Sequence, residues 1–235
     1  DLLGNPISAA FATHKVKEYV AEKYPELDLE VGKAHYNFKF KTYGVDVSSK
    51  TSIDTHFSVE YRNGKIKYDE YESYVQGKFN TRDRLGETCA KEVIPLLSRI
   101  AQLQDNTTMV NLVDPERLGE SERESLEKSI VLDMPFNKAL AANMCITIRA
   151  ELTDTSPKNL EELLKESYAI LKEEGYKFKN YELFSDTKEA LAMINNVSAE
   201  EISNGALLKA LEEAEQNENS ETPSGMSIVI RKKDQ

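Results

Sequence analysis

The strongest constraint on how this chain can fold is a change of hydrophobic period within its first sixty residues. Ala12, Val16, Tyr19, Val20 and Tyr24 recur at helical spacing between Asn5-Pro6 and Pro25, which puts them on one helical face. Asn5 suits the cap, Pro6 the first helical position, and Pro25 stops the segment. Three stretches, 29–40, 43–47 and 53–61, then alternate apolar and polar residues with period two before Asn63-Gly64 turns the chain. This order predicts a helix packed on an antiparallel meander. Within the first stretch the apolar phase shifts between Leu29/Val31 and Tyr36/Phe38/Phe40 across Gly32, as a bulge would require.

Downstream, the pattern predicts a short helix over 69–76 that breaks near Gly77, then a longer one over 81–102 kinked at Pro95. A strand over 109–113 leads through Asp114-Pro115 into an acidic helix ending near Lys128. An extended 130–133, a Met-Pro-Phe turn and a strand over 144–152 follow. Ser156-Pro157 opens a helix closed by Gly175. A strand over 177–184, helices over 186–195 and 199–215, and a last strand over 226–231 complete the reading, with Ser198 and Glu201 spaced as a capping box. Helices and strands mix without a βαβ rhythm, and no fixed-period repeat occurs. The expected class is therefore α+β, with an N-terminal helix-plus-meander domain over 1–105 and a second α+β domain over 106–235.

The net charge of −11 is uneven. Residues 1–105 carry 15 Lys/Arg against 16 Asp/Glu, whereas 106–235 carry 15 against 25. An acidic field of this kind argues against nucleic acid and anionic lipid headgroups as direct partners. Cys89 and Cys145 lie too far apart in sequence for a zinc or redox motif. They read as isolated buried thiols, with a bridge between the two halves as the alternative. No run reaches the roughly twenty apolar residues of a membrane-spanning helix.

Glycine-rich phosphate loops, a nucleophile elbow, a two-histidine zinc helix and a calcium loop are all missing from the sequence, so no catalytic, cofactor-binding or metal residues are assigned and no cofactor is expected. His14, His35 and His56 are the only histidines, and the last two fall on strands that could be neighbours, where a metal could be shared. Against this, Asp54, His56, Ser58, Glu60 and Arg62 alternate with Ile53, Thr55, Phe57, Val59 and Tyr61, the pattern of a wet strand face. Glu120/Glu122/Glu124 and Glu161/Glu162 sit on helices and read as solvated faces. Tyr68, Tyr71, Tyr74 and Phe79 either cover the meander as core or line a groove. A ligand pocket between helix and sheet would show as an apolar concavity near Tyr36, Phe57 and Tyr71.

Gly4-Asn5-Pro6-Ile7, the run from Lys23 to Glu30, Tyr36-Asn37-Phe38, the run from Thr51 to Phe57 and the run from Val59 to Gly64 together resemble the YfjL-like family of uncharacterised bacterial proteins. Val131-Leu132-Asp133-Met134-Pro135-Phe136 and the helix from Pro157 to Gly175 are similar to that family's C-terminal domain. The resemblance implies a surface protein, single-pass or lipid-anchored, with a hydrophobic segment just ahead of the Gly-Asn-Pro-Ile block. It carries no activity and no site residues. The chain starts at Asp1, and the expectation is that such an anchor precedes it in the full-length protein.

These readings combine into an extracytoplasmic, membrane-tethered binding or interaction module whose partner is a protein or a small ligand. The alternatives are a hydrolase or metal-dependent enzyme whose site assembles only in the fold, and a small-ligand-binding protein.

Overall fold

A computed structural model of the chain describes residues 4–233. It forms two compact units. One comprises the described residues up to Arg84 together with Glu127–Met134, and the other Leu85–Leu126 with Pro135 onward. The second half of the sequence therefore returns a segment to the first unit.

In the first unit, α1 (Pro6–Lys23) starts as its sequence dictates: the Asn5 side chain accepts from the Ile7 N–H and Pro6 occupies the first turn. Five strands follow, β1 (Leu29–Val31), β2 (His35–Asn37), β3 (Thr42–Ser49), β4 (His56–Arg62) and β5 (Lys65–Asp69). They pair antiparallel in the order β1-β3-β4-β5, with β2 also on β3. The expected first strand is thus two short ones, interrupted at Gly32, whose N–H reaches the Asp46 carbonyl. Asn63 and Gly64 both take positive φ and close the β4–β5 hairpin. Its return strand, β5, was not expected. Ala12, Val16 and Val20 of α1 pack on Val45, Val47, Phe57, Val59 and Tyr61, the inward positions of β3 and β4. The predicted helix over 69–76 is a π-helical turn at Glu72–Gln76.

The second unit holds most of α2 (Phe79–Leu97), which is shorter than expected and gives way to a 3₁₀ turn at Ala101–Leu103. It continues with β6 (Met109–Leu112), α3 (Glu120–Ser129), β7 (Met144–Arg149), α4 (Pro157–Glu173), β8 (Asn180–Asp186), β9 (Ala190–Val197), α5 (Ala199–Asn204), α6 (Ala206–Asn217), β10 (Asn219–Glu221) and β11 (Ser227–Lys232). The strand order is β10-β11-β9-β8-β7-β6, and only β7 and β8, joined through α4, run parallel. The helix expected over 186–195 is in fact β9. Ala190, Ala192 and Ile194 alternate into the core between β8 and β11, so pairing on both edges overrides helix-favouring composition. Ser198 and Glu201 form the expected capping box. The helix that follows is cut in two at Gly205, where φ is 84°. Gly86 of α2 meets β6 so closely that a Cβ would lie 2.3 Å from the Val110 carbonyl oxygen.

Candidate functional site

The histidines do not converge. His35 pairs opposite Gly44 and His56 opposite Ser48, on opposite edges of β3, so the two strands are not neighbours. Four residues along a strand add about 13 Å to that separation. His14 is on the surface of α1 beside Glu18. Among the described residues no group of three or more His, Cys, Asp or Glu could hold a metal ion. Cys89 and Cys145 are both free thiols. Burial pushes Cys89 up to about 12, assisted by Glu92, and burial likewise raises Cys145.

Asp54 breaks the expected alternation. His56, Ser58, Glu60 and Arg62 do lie on the more open face of β4, and Phe57, Val59 and Tyr61 are buried. The strand, however, begins only at His56. In the turn before it Ile53 is 65 % exposed and Asp54 is 1 % exposed. The Asp54 carboxylate accepts from Arg84 Nε at 2.6 Å and Nη2 at 2.8 Å, and from the Asp133 N–H at 2.8 Å. In return, the Asp54 N–H and the Ser52 hydroxyl donate to Asp133 Oδ1 at 2.9 and 3.0 Å, while Arg84 Nη2 also reaches the Met134 carbonyl. Burial alone would raise Asp54, but the Arg84 guanidinium and the Asp133 N–H outweigh it and hold the carboxyl below its ordinary value. Residues 79 positions apart thus form a clasp that fastens 127–134 into the first unit. Lys78 reinforces it by donating to the carbonyls of Glu127 and Ile130.

A second carboxylate is satisfied in the same way. Asp69, its side chain 5 % exposed, accepts from Lys23 Nζ at 2.7 Å, from the Tyr24 hydroxyl at 2.9 Å and from the Tyr19 hydroxyl. Burial raises its pKa, yet these donors bring it below the ordinary value; Tyr24 is pushed up to about 12, chiefly by burial. Tyr24, Phe57 and Tyr71 pack edge to tilted with centroids 4.4–5.6 Å apart. The space that a pocket near Phe57 and Tyr71 would need is therefore filled by Tyr24, and Tyr36 packs separately against Tyr43 in a tilted pair. Of the aromatic run, Tyr71 packs inward, Tyr74 meets Phe79, and Tyr68 is largely exposed. Both carboxylates have their acceptor capacity occupied by donors, which suits fastening and leaves little for proton transfer.

The glutamates expected as solvated helix faces divide. Glu120, Glu122, Glu124 and Glu162 are exposed, but Glu161 is buried on α4 and ion-paired with Lys165.

A polar concavity lies in the second unit. Because β7 and β8 are parallel, both end at the same rim, the position where α/β sheets commonly receive ligands. A cleft of about 840 Å³ opens there, and its polar lining includes Gln102, Gln104, Asp105, Arg149, Glu151, Thr153 and Asp186, with Phe184 beside Arg149. A second hollow of about 570 Å³ shares Glu151, Thr153 and Asp186 and adds Lys188 and Lys233. Arg149 and Phe184 are register partners, and the guanidinium carbon sits 5.0 Å from the ring centroid. The cation lies over the ring face while Nη1 donates to the Met109 sulfur at 3.3 Å, so two contacts hold the guanidinium. No carboxylate pairs with Arg149 among the described residues, whereas Asp186 is already paired with Lys233. The cleft therefore presents an oriented cation with donors to spare, beside Glu151. The sequence reading missed it because Arg149 and Phe184 are 35 positions apart; the available signal was a strand predicted to run past Arg149 in the centre of the sheet.

Two sequence profiles match the chain. That of the YfjL-like N-terminal domain covers residues 1–70, and that of the YfjL-like C-terminal domain covers residues 88–212. Neither a curated protein nor a solved structure matches it.

Proposed function

Because the chain belongs to the YfjL-like family, we propose that it is an extracytoplasmic, membrane-tethered binding module, and that the cleft at the ends of β7 and β8 seats its ligand. The tether rests on the family pattern of a hydrophobic segment ahead of a block like Gly4-Asn5-Pro6-Ile7. Binding rests on one observation: Arg149, held over the Phe184 ring, has no carboxylate of its own among the described residues in a cleft of about 840 Å³. A planar guanidinium in that state pairs bidentately with a carboxylate, and Glu151 in the lining of the same cleft complements a cationic or hydroxyl group. The ligand class is a small polar carboxylate, an amino acid or a hydroxy acid. A thermal-shift screen of such compounds should raise the melting temperature of the wild type, since a ligand of the native state stabilises it. Arg149→Ala should abolish the shift and Arg149→Lys should weaken it. A panel without effect on the wild type, or an unchanged response in Arg149→Ala, removes the cleft from the proposal. Protease digestion of intact cells tests the location separately, and an unanchored cytosolic form would defeat it.

A further inference from the structure

Among the described residues, one end of the first unit gathers exposed apolar side chains and basic charge and no acidic side chain. The β2–β3 turn reads Phe38-Lys39-Phe40-Lys41, with Phe38 61 % and Phe40 55 % exposed. The turn is built rigidly: Asn37 Oδ1 accepts from the Lys39 and Phe40 N–H groups, Lys41 takes a positive φ, and Lys39 Nζ lies 5.4 Å from the Phe40 centroid. Register places the β4–β5 turn at the same end, because Tyr43 pairs with Tyr61 and Arg62 with Lys65. The start of α1 is there too, through the Asn5 N–H on the Tyr43 hydroxyl, and Ile7 in its first turn is 80 % exposed. Residues 31–45 and 61–68 contain Lys33, Lys39, Lys41, Arg62, Lys65 and Lys67 and no Asp or Glu. The first acidic position inward along the ladder is Glu60, opposite Gly44.

We propose that this end is a docking surface for an anionic lipid bilayer, with Phe38 and Phe40 entering the headgroup region and the surrounding lysines and arginine meeting the lipid charge. Aromatic side chains flanked by Lys and Arg are what such an interface selects. A second copy of the chain is disfavoured as occupant, since two tips of the same positive sign would face each other. A folded protein partner ordinarily covers about 800 Å² per side, whereas insertion of two protruding rings into a membrane needs only depth. The inference concerns a different unit from the ligand cleft and requires no anchor, so the two stand or fall separately.

The test is co-sedimentation of the full 235-residue chain with phosphatidylcholine vesicles and with mixed phosphatidylcholine–phosphatidylglycerol vesicles at physiological salt. The chain should pellet with the mixed vesicles and not with pure phosphatidylcholine. Phe38→Ser with Phe40→Ser should lower the partition about tenfold, from the transfer of half-buried aromatic area. Lys39→Gln with Lys41→Gln should lower it about fivefold per charge. Ile53→Ser, at an equally exposed apolar position outside this end of the sheet, should change nothing. Far-UV circular dichroism confirms that each variant is folded. No binding to anionic vesicles overturns the proposal, as does wild-type binding by the double Phe variant, or self-association of the chain through the tip without vesicle binding.

Discussion

Cutting the clasp at Arg84 tests how the first unit holds its returning segment. The Asp54 carboxylate receives two charged donors from Arg84 and one backbone N–H from Asp133. Arg84→Met keeps most of the aliphatic stem and removes both charged donors, leaving a carboxylate that is 1 % exposed with a single amide. Removing one partner of a buried pair costs about 3–5 kcal/mol. The Arg84 side chain is 27 % exposed, so water can partly replace it and the lower end, about 3 kcal/mol, applies. Asp54→Asn keeps an acceptor and should cost about 2 kcal/mol. With both changes no uncompensated charge remains, and the double variant should lose less than the sum by about 1.5 kcal/mol. Urea unfolding followed by tyrosine fluorescence suits a chain with eleven tyrosines and no tryptophan. The sign with pH is also determined: the folded-state pKa of Asp54 is lowered, so its contribution is complete above the ordinary carboxylate pKa and fades as pH falls through the folded value. The gap between wild type and Arg84→Met should therefore close in acid. Additivity within about 0.5 kcal/mol, or a gap that does not narrow in acid, refutes the clasp as an energetic unit.

Asp69→Asn should cost about 2 kcal/mol at neutral pH and nothing at the acid end, because Asp69 too is held below its ordinary pKa and its contribution is lost as pH falls; acid unfolding of the pair of proteins reads this. Gly86→Ala should destabilise the second unit by about 1–3 kcal/mol despite the better helix propensity of alanine, since the added methyl would meet the Val110 carbonyl at 2.3 Å; thermal unfolding gives the sign. Iodoacetamide should alkylate neither Cys89 nor Cys145 at an appreciable rate at mildly alkaline pH in the folded chain, both thiols being raised by burial, and should alkylate both once urea unfolds it; mass spectrometry counts the labels.

Where local chemistry decides an element, the sequence was legible. Asn5-Pro6 and Pro25 bound α1, Ser198 and Glu201 open α5, and the alternating positions of β4 sort inward and outward as read. Errors arose where distant partners decide. The stretch that became β9 is rich in helix formers, yet β8 and β11 leave it a strand's place between them. Asn63-Gly64 announced a hairpin, but the returning Lys65–Asp69 carries the apolar signal of only Ile66 and Tyr68. Extending the alternation of β4 backwards put Asp54 on the wet face. Nothing local announces that Asp133 will supply its reciprocal hydrogen bonds from 79 positions away.

That clasp also bears on what the family-like blocks are for. The run from Thr51 to Phe57 and the run from Val131 to Phe136 carry the resemblance in the two halves of the sequence, and they meet: Ser52 and Asp54 from one bond to Asp133 from the other, and Arg84 joins Asp54 to the Met134 carbonyl. Every polar contact among them closes on protein, so these residues are explained by fastening the fold. The exposed chemistry, Arg149 on Phe184 and the Phe38–Lys41 turn, lies outside the quoted blocks except for Phe38. Net charge misleads in a related way. A total of −11 describes the field seen from far off, but the screening length at physiological salt is about 8 Å, while β3, with eight residues, extends about 26 Å. Over that length the first unit runs from Asp28 and Glu30, with Lys50 beside both, at one end of its sheet to Lys39, Lys41, Arg62, Lys65 and Lys67 at the other. A partner within a few ångströms of either end meets the local sign and not the average, so an acidic chain can still present a surface suited to anions.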